Sequence, residues 1–269
     1  MRTLSGIFLF SFLFCQDMQV RIVGVLRMDV PVMGPFEMTF DKITAPGFFR
    51  SDEKVEAKRT YASWFIDSET GEIMIEGTDH ILMYDKEDKE YWLESPEDYF
   101  KEPDTSSEGK KSFSFSFGSD EEDEDSPPKI ERTGGDAVEV LHGFRTKKWI
   151  TTVTSSDGEL VLEEWFVDKL PLLDLSESLE RDIKIKFNPS REAVETDQFE
   201  FSSNLLIAEL DSLTTLKPLD GHSVKTNFFM YEDDDLKFSA GYEILELYTV
   251  PFDASSFTIP EEYSRVDKD

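Results

Sequence analysis

Lys147-Lys148-Trp149-Ile150-Thr151-Thr152-Val153-Thr154, Ser155-Ser156-Asp157-Gly158 and Glu159-Leu160-Val161-Leu162-Glu163-Glu164-Trp165-Phe166-Val167 follow one another without interruption. Two runs rich in β-branched and aromatic residues are joined by Asp-Gly, the pair that accepts the left-handed backbone of a tight hairpin turn. Upstream, Val20, Ile22, Leu26, Met28, Val30 and Val32 share one parity, and Arg21, Arg27 and Asp29 the other. That is the period of a half-buried strand. Pro31, Gly34 and Pro35 mark a bend before the alternating run Phe36–Phe40. Further short strands are expected at 59–66, 72–75, 80–84, 90–93 and 137–141, then at 223–231 and 240–250. Short polar turns between them describe an antiparallel meander.

One section changes period. After Pro171, Leu172, Leu175, Leu179 and Ile183 recur at helical spacing, predicting a helix over 172–187. Asn188-Pro189 then supplies a cap and a first-turn proline for a second helix over 190–214, with Val194, Phe201, Leu205, Ala208 and Leu213 for its apolar side. Strands, a helical section at 171–216 and strands again give a mainly β (α+β) chain. The simplest arrangement is an antiparallel sheet with helices on one face. Residues 101–131 fit neither period: the consecutive acids Asp120–Asp125 repel one another and Pro127-Pro128 blocks pairing. An acidic, flexible insertion is expected there, solvated unless it serves a partner.

The chain has 269 residues, with 58 Asp and Glu against 28 Lys and Arg and a formal net charge of −30. Such a surface repels phosphate backbones, which argues against nucleic acid as a partner. Twenty-three Phe residues supply ample core, and one Cys with three His excludes a disulfide framework or an ordinary zinc site. His80, His142 and His222 are each possible bases, but no Gly-x-Ser-x-Gly elbow accompanies them, and His142 and His222 stand beside Gly in turn-like contexts, so they read as turn and surface polar residues. Neighbouring strand acids such as Glu163 and Glu164 point to opposite faces and cannot share a substrate. Asp233-Asp234-Asp235 lacks the alternating arrangement that wraps calcium. No phosphate-cradling loop or dinucleotide fingerprint is present. The expectation is no catalytic residue, no metal and no cofactor.

The amino terminus reads as an address. Arg2 precedes the apolar run Ile7–Phe14, too short to span a bilayer, and polar sequence begins at Gln16-Asp17. Residues 1–15 are therefore expected to be a signal peptide. Cys15 stands where a lipidated cysteine would tether the chain to a membrane, although Phe14 takes the place of the usual small residue.

Several motifs are shared with an exported bacterial domain family of unknown function. The hairpin Trp64-Phe65-Ile66-Asp67 to Gly71-Glu72-Ile73, then Met83-Tyr84-Asp85-Lys86, resembles its first half. Gly134-Gly135 through His142-Gly143-Phe144 to Lys147-Lys148-Trp149, followed by Trp165–Pro171, resembles its middle. Pro251, Ser255, Phe257, Pro260 and Tyr263 resemble its closing signature. That family is distantly similar to the LolA/LolB outer-membrane lipoprotein carriers. The resemblance implies a curved antiparallel half-barrel covered by helices, with an apolar interior that takes acyl chains and no catalytic residues.

Taken together, these readings give a LolA-like domain over 16–269, a monomer exported to the periplasm or cell envelope of a bacterium. Its partner would be a lipid or lipidated protein, held by Phe40, Trp64, Leu82, Trp92, Trp149, Trp165, Leu179 and Leu205. The alternative is an interaction protein with a closed core that acts through its acidic surface.

Overall fold

A computed structural model describes residues 18–30, 34–59, 67–101, 129–155, 158–188, 216–217 and 219–267. The signal segment with Cys15, the strand 59–66 with Trp64 beyond its first residue, the acidic run and the second helix with Leu205 lie outside the described residues.

The described chain is mainly β. It forms β1 (Met18–Val30), β2 (Gly34–Ala45), β3 (Phe48–Ala57), β4 (Ser68–Ile75), β5 (Ile81–Asp85) and β6 (Glu90–Glu94). A one-turn helix α1 (Pro96–Tyr99) follows, then β7 (Lys129–Leu141), β8 (Phe144–Ser155) and β9 (Gly158–Val167). The longer helix α2 (Pro171–Phe187) precedes β10 (His222–Glu232), β11 (Asp235–Pro251), a 3₁₀ turn (Ala254–Phe257) and β12 (Ser264–Arg265). All 12 described strands join one open, curved sheet in the order β12-β6-β5-β4-β3-β2-β1-β11-β10-β9-β8-β7. This is the half-barrel architecture expected from the sequence.

Every pairing is antiparallel except β12 on β6. The central seam is β1 against β11, which returns from the far end of the chain. Strands β8 and β9 pair as the expected hairpin, with Ser155 opposite Gly158, the first residue of β9. His142-Gly143 is a left-handed turn, with φ of 50° and 88° closing β7 onto β8.

Strand parity separates the two faces. Val20, Ile22, Leu26, Met28 and Val30 look toward α2, as their alternation foretold, and Arg21 and Arg27 look away. Arg21 there pairs with Asp41, and Arg27 with Glu37 and Glu243. Gly24 sits among the inward residues because Phe40 of the next strand lies flat across it. A Cβ on Gly24 would stand 2.1 Å from Phe40 Cζ.

Two elements flank the sheet. Helix α2 packs chiefly on β1, β2, β3 and β11. On the opposite face the carboxyl-terminal segment brings Phe252, Phe257, Ile259 and Tyr263 onto Ala45, Ile73 and Tyr84. Strand β3 was not legible from the sequence, since its α2-facing residues include Ser51 and Glu53 in place of apolar ones.

Candidate functional site

The α2 face carries two unlike regions. Beneath α2, Val20, Ile22, Phe40, Leu173, Val224, Tyr242 and Ile244 form one apolar cluster, with Phe40 stacked on Tyr242 at 6.0 Å between centroids. Farther along, Val30, Val153, Leu160, Leu162, Phe228 and Phe238 form a second, joined by Met28, Phe36, Ile130 and Met230. That second strip runs over β1 and β7–β11, where the methionines supply adaptable surface.

Between α2 and β2–β4 an ion cluster sits beside the buried Phe49, Met74, Ile81 and Ile183. The expected apolar stripe of Leu172, Leu175, Leu179 and Ile183 is corrected by the structure. The helix buries Leu173, Ser176, Glu180, Ile183 and Lys184, and Leu175 stays exposed. Glu180 accepts from Lys184 Nζ at 2.6 Å, one turn away, and from Lys42 Nζ of β2 at 3.4 Å. Ser176 and Thr44 share a hydrogen bond of 2.9 Å. Both lysine ammonium groups also lie over the Phe49 ring, at 5.9 and 5.5 Å from its centroid. Burial pushes the Lys42 amine below its ordinary value, and Glu180 and Glu72 pull the other way. Burial works to raise the Glu180 carboxyl, but the two lysines outweigh it and hold it low. The helix position was legible; its rotation was not, because only the sheet partners show that charge belongs inside.

Glu72 of β4 completes this cluster. Its Oε2 accepts from Tyr99 OH at 2.5 Å, whereas Oε1 and the cross-strand Ser51 Oγ, both buried, lack a hydrogen-bond partner among the described residues. Burial raises the Glu72 carboxyl above the ordinary glutamate range, against Tyr99, Lys184 and Lys42. With the folded value above the unfolded one, its contribution to stability is whole at acid pH. That contribution is lost as pH rises through the raised value. Glu72→Gln keeps the Tyr99 bond and offers Ser51 a donor. The variant is expected to gain about 1 kcal/mol at neutral to alkaline pH, and to match the parent in acid. Thermal unfolding of both proteins across pH checks this, and a Glu72→Gln loss at neutral pH would show an ionised, lysine-paired Glu72.

The remaining expected lining residues are dispersed. Phe40 lies under α2, with 5% of its surface exposed. Leu179 is half-buried on α2 beside the buried stripe. Trp92 of β6 is half-buried, with its indole N–H on Glu94 at 3.1 Å. Trp149 lines a groove near the β7–β8 end with Arg132, Lys147 and Phe166. Leu82 must be moved: it packs with Ile73, Tyr84 and Phe257 on the face away from α2, because its register with Ile73 puts it there. Trp165 is buried, but its ring lies between Lys148 Nζ at 4.7 Å and Lys225 Nζ at 5.2 Å, and its N–H reaches Glu139 at 3.0 Å. Paired cations around it make it a cation–π centre in place of an apolar wall.

Each histidine meets a carboxylate: His80 with Asp79, His142 with Glu243 and His222 with Asp174, at 2.8, 2.9 and 3.0 Å. Among the described residues, no group of three or more His, Cys, Asp or Glu is arranged to hold a metal ion. No described helix is long and apolar enough to cross a membrane.

Neither a protein-family model nor a curated protein matches the chain. Among solved structures it is similar to a LolA superfamily protein from Nitrosomonas europaea, at a TM-score of 0.24 and 7% identity over 90% of each chain. It is also similar to a domain assigned to outer membrane lipoprotein sorting from Vibrio parahaemolyticus. There the TM-score is 0.24 and the identity 10%, over 87% of this chain and 86% of that one.

Proposed function

We propose that this chain is an exported, non-enzymatic binding protein of the carrier type that holds an acyl chain against the α2 face of its half-barrel. The observation behind this reading is the apolar strip of Val30, Val153, Leu160, Leu162, Phe228 and Phe238, four of which stand on β8–β10, beyond the strands on which α2 chiefly packs. All six side chains are buried, at most 8% exposed, so an acyl chain of matching elongated shape has to enter among them as part of the core. In this reading residues 1–15 direct export and are removed, and 16–269 act as one domain. The acidic surface keeps the loaded protein soluble.

A dozen buried methylenes contribute about 10 kcal/mol gross. Ordering costs then leave affinity near micromolar. Titrating the delipidated, natively exported protein with acyl chains of increasing length is the test, after intact mass has established its amino terminus. Binding is expected to saturate and to strengthen by up to about fifteenfold for every two methylenes added. If no length saturates, the interior is closed, and the reading of an interaction protein working through its acidic surface takes its place.

A further inference from the structure

The ribbon formed by β7 and β8 departs from the charge of the rest of the molecule. Residues 129–148 hold five Lys and Arg against three Asp and Glu, in a chain whose formal net charge is −30. At this end of the sheet a groove is lined by the cations Arg132, Lys147 and Lys217, the apolar Trp149, Phe166, Leu216 and Leu219, and the carboxylates Asp168 and Asp220. Its volume is about 440 Å³. The Arg132 guanidinium is fixed across it, its Nε donating to Thr151 Oγ1 at 3.0 Å and its Nη1 to the Lys217 carbonyl at 2.7 Å. Lys147 keeps a loose, exposed contact with Asp168 at 3.6 Å, and Lys217 one with Asp220 at 3.5 Å.

Register ties this groove to the apolar strip. Ile130 pairs with Val153 and Arg132 with Thr151, so the cation stands on the same strand face as the strip, two residues farther along β7. On β8 the same face runs Val153, Thr151, Trp149, Lys147. Two residues of strand span about 7 Å. The buried strip therefore ends at an oriented guanidinium and an ammonium, with the Trp149 and Phe166 rings of the groove alongside.

We propose that this groove is the headgroup site for an anionic amphiphile, a phosphate or carboxylate carried on an acyl chain. The anion sits against Arg132 and Lys147, and the chain lies along Trp149, Phe166, Leu216 and Leu219 of the same groove. The inference rests on the acyl-binding reading and adds to it a polarity and a direction. Bulk electrostatics predicts the reverse preference, since a strongly acidic protein attracts cationic amphiphiles. That opposition makes the site testable.

The probes are dodecyl phosphate, dodecyltrimethylammonium and inorganic phosphate, titrated below micelle formation into the full chain and into Arg132→Gln and Lys147→Gln. Dodecyl phosphate is expected to bind at least about tenfold tighter than the ammonium compound, because a fixed Arg fork and a nearby Lys both face its anion. Either substitution should erase or reverse that order while circular dichroism stays unchanged. About 0.5 M salt should narrow it. Equal or tighter binding of the ammonium compound by the parent chain overturns the headgroup site and leaves acyl binding intact. Saturable micromolar binding of inorganic phosphate, lost in Arg132→Gln, would identify a free-anion site and overturn the amphiphile. If neither dodecyl compound saturates, both the site and the acyl reading fail.

Discussion

Glu180→Gln is expected to destabilise the protein by about 3–5 kcal/mol, the usual result of removing one member of a buried ion cluster. Lys42 and Lys184 both point at this carboxylate, and all three side chains are at most 6% exposed. Without it, two ammonium groups remain under α2, over the Phe49 ring and beside the protonation-prone Glu72. Deprotonating a lysine is the cheapest escape, so the loss should shrink as pH rises toward the lowered Lys42 value. The parent behaves differently. Its Glu180 carboxyl is held low, so that stability is present above the unfolded glutamate value and is lost as acid protonates the folded form. Urea unfolding of both proteins at neutral and alkaline pH reads the difference. A cost below about 1 kcal/mol would mean that water reaches the cluster and the pair acts as a surface bridge.

That cluster also marks the limit of what the sequence discloses. Alternation alone placed Val20, Ile22, Leu26, Met28 and Val30 on one face, because a period of two records burial directly. For α2 the same logic misled, since it assumes that apolar residues turn inward. Ser176, Glu180 and Lys184 are inward because Thr44 and Lys42 wait for them on β2, some 130 residues earlier in sequence. Leu82 and Ile81 are equally apolar neighbours, and only the register of β5 against β4 decides that Ile81 meets the α2 side and Leu82 the other. Trp165 looked like wall material, but Lys148 of β8 and Lys225 of β10 flank it across two separate pairings. The groove at Trp149 was half legible. The tryptophan was expected, but Arg132 reaches its position through the break in the β7 register between Gly134 and Val138. A Cβ on Gly135 would lie 2.2 Å from the Trp149 ring, so glycine is what lets the ring settle there.

Phe257→Ala is expected to cost about 3–5 kcal/mol, although it stands near the end of the chain where truncation is often tolerated. Its ring is only 2% exposed and lies 5.1 Å from Phe48 and 6.0 Å from Phe252, on the face away from α2. The segment around it is fastened by polar contacts. Arg50 donates to the Ser256 carbonyl at 2.9 Å, and the amides of Ser264 and Val266 reach the Lys89 and Tyr91 carbonyls at 2.9 Å each. Those last bonds place β12 on β6 and close one edge of the sheet. Losing the ring should therefore loosen the segment as a unit and lower the melting temperature by about 10 °C. Amide exchange at Ser264 and Val266 should rise in the same variant. Acyl affinity should hold at temperatures where the variant stays folded, because the apolar strip lies across the sheet. A variant that keeps its melting temperature would show that Phe48 and Phe252 close over the vacancy. A variant that stays folded but loses acyl binding would show that the two faces of the sheet are coupled.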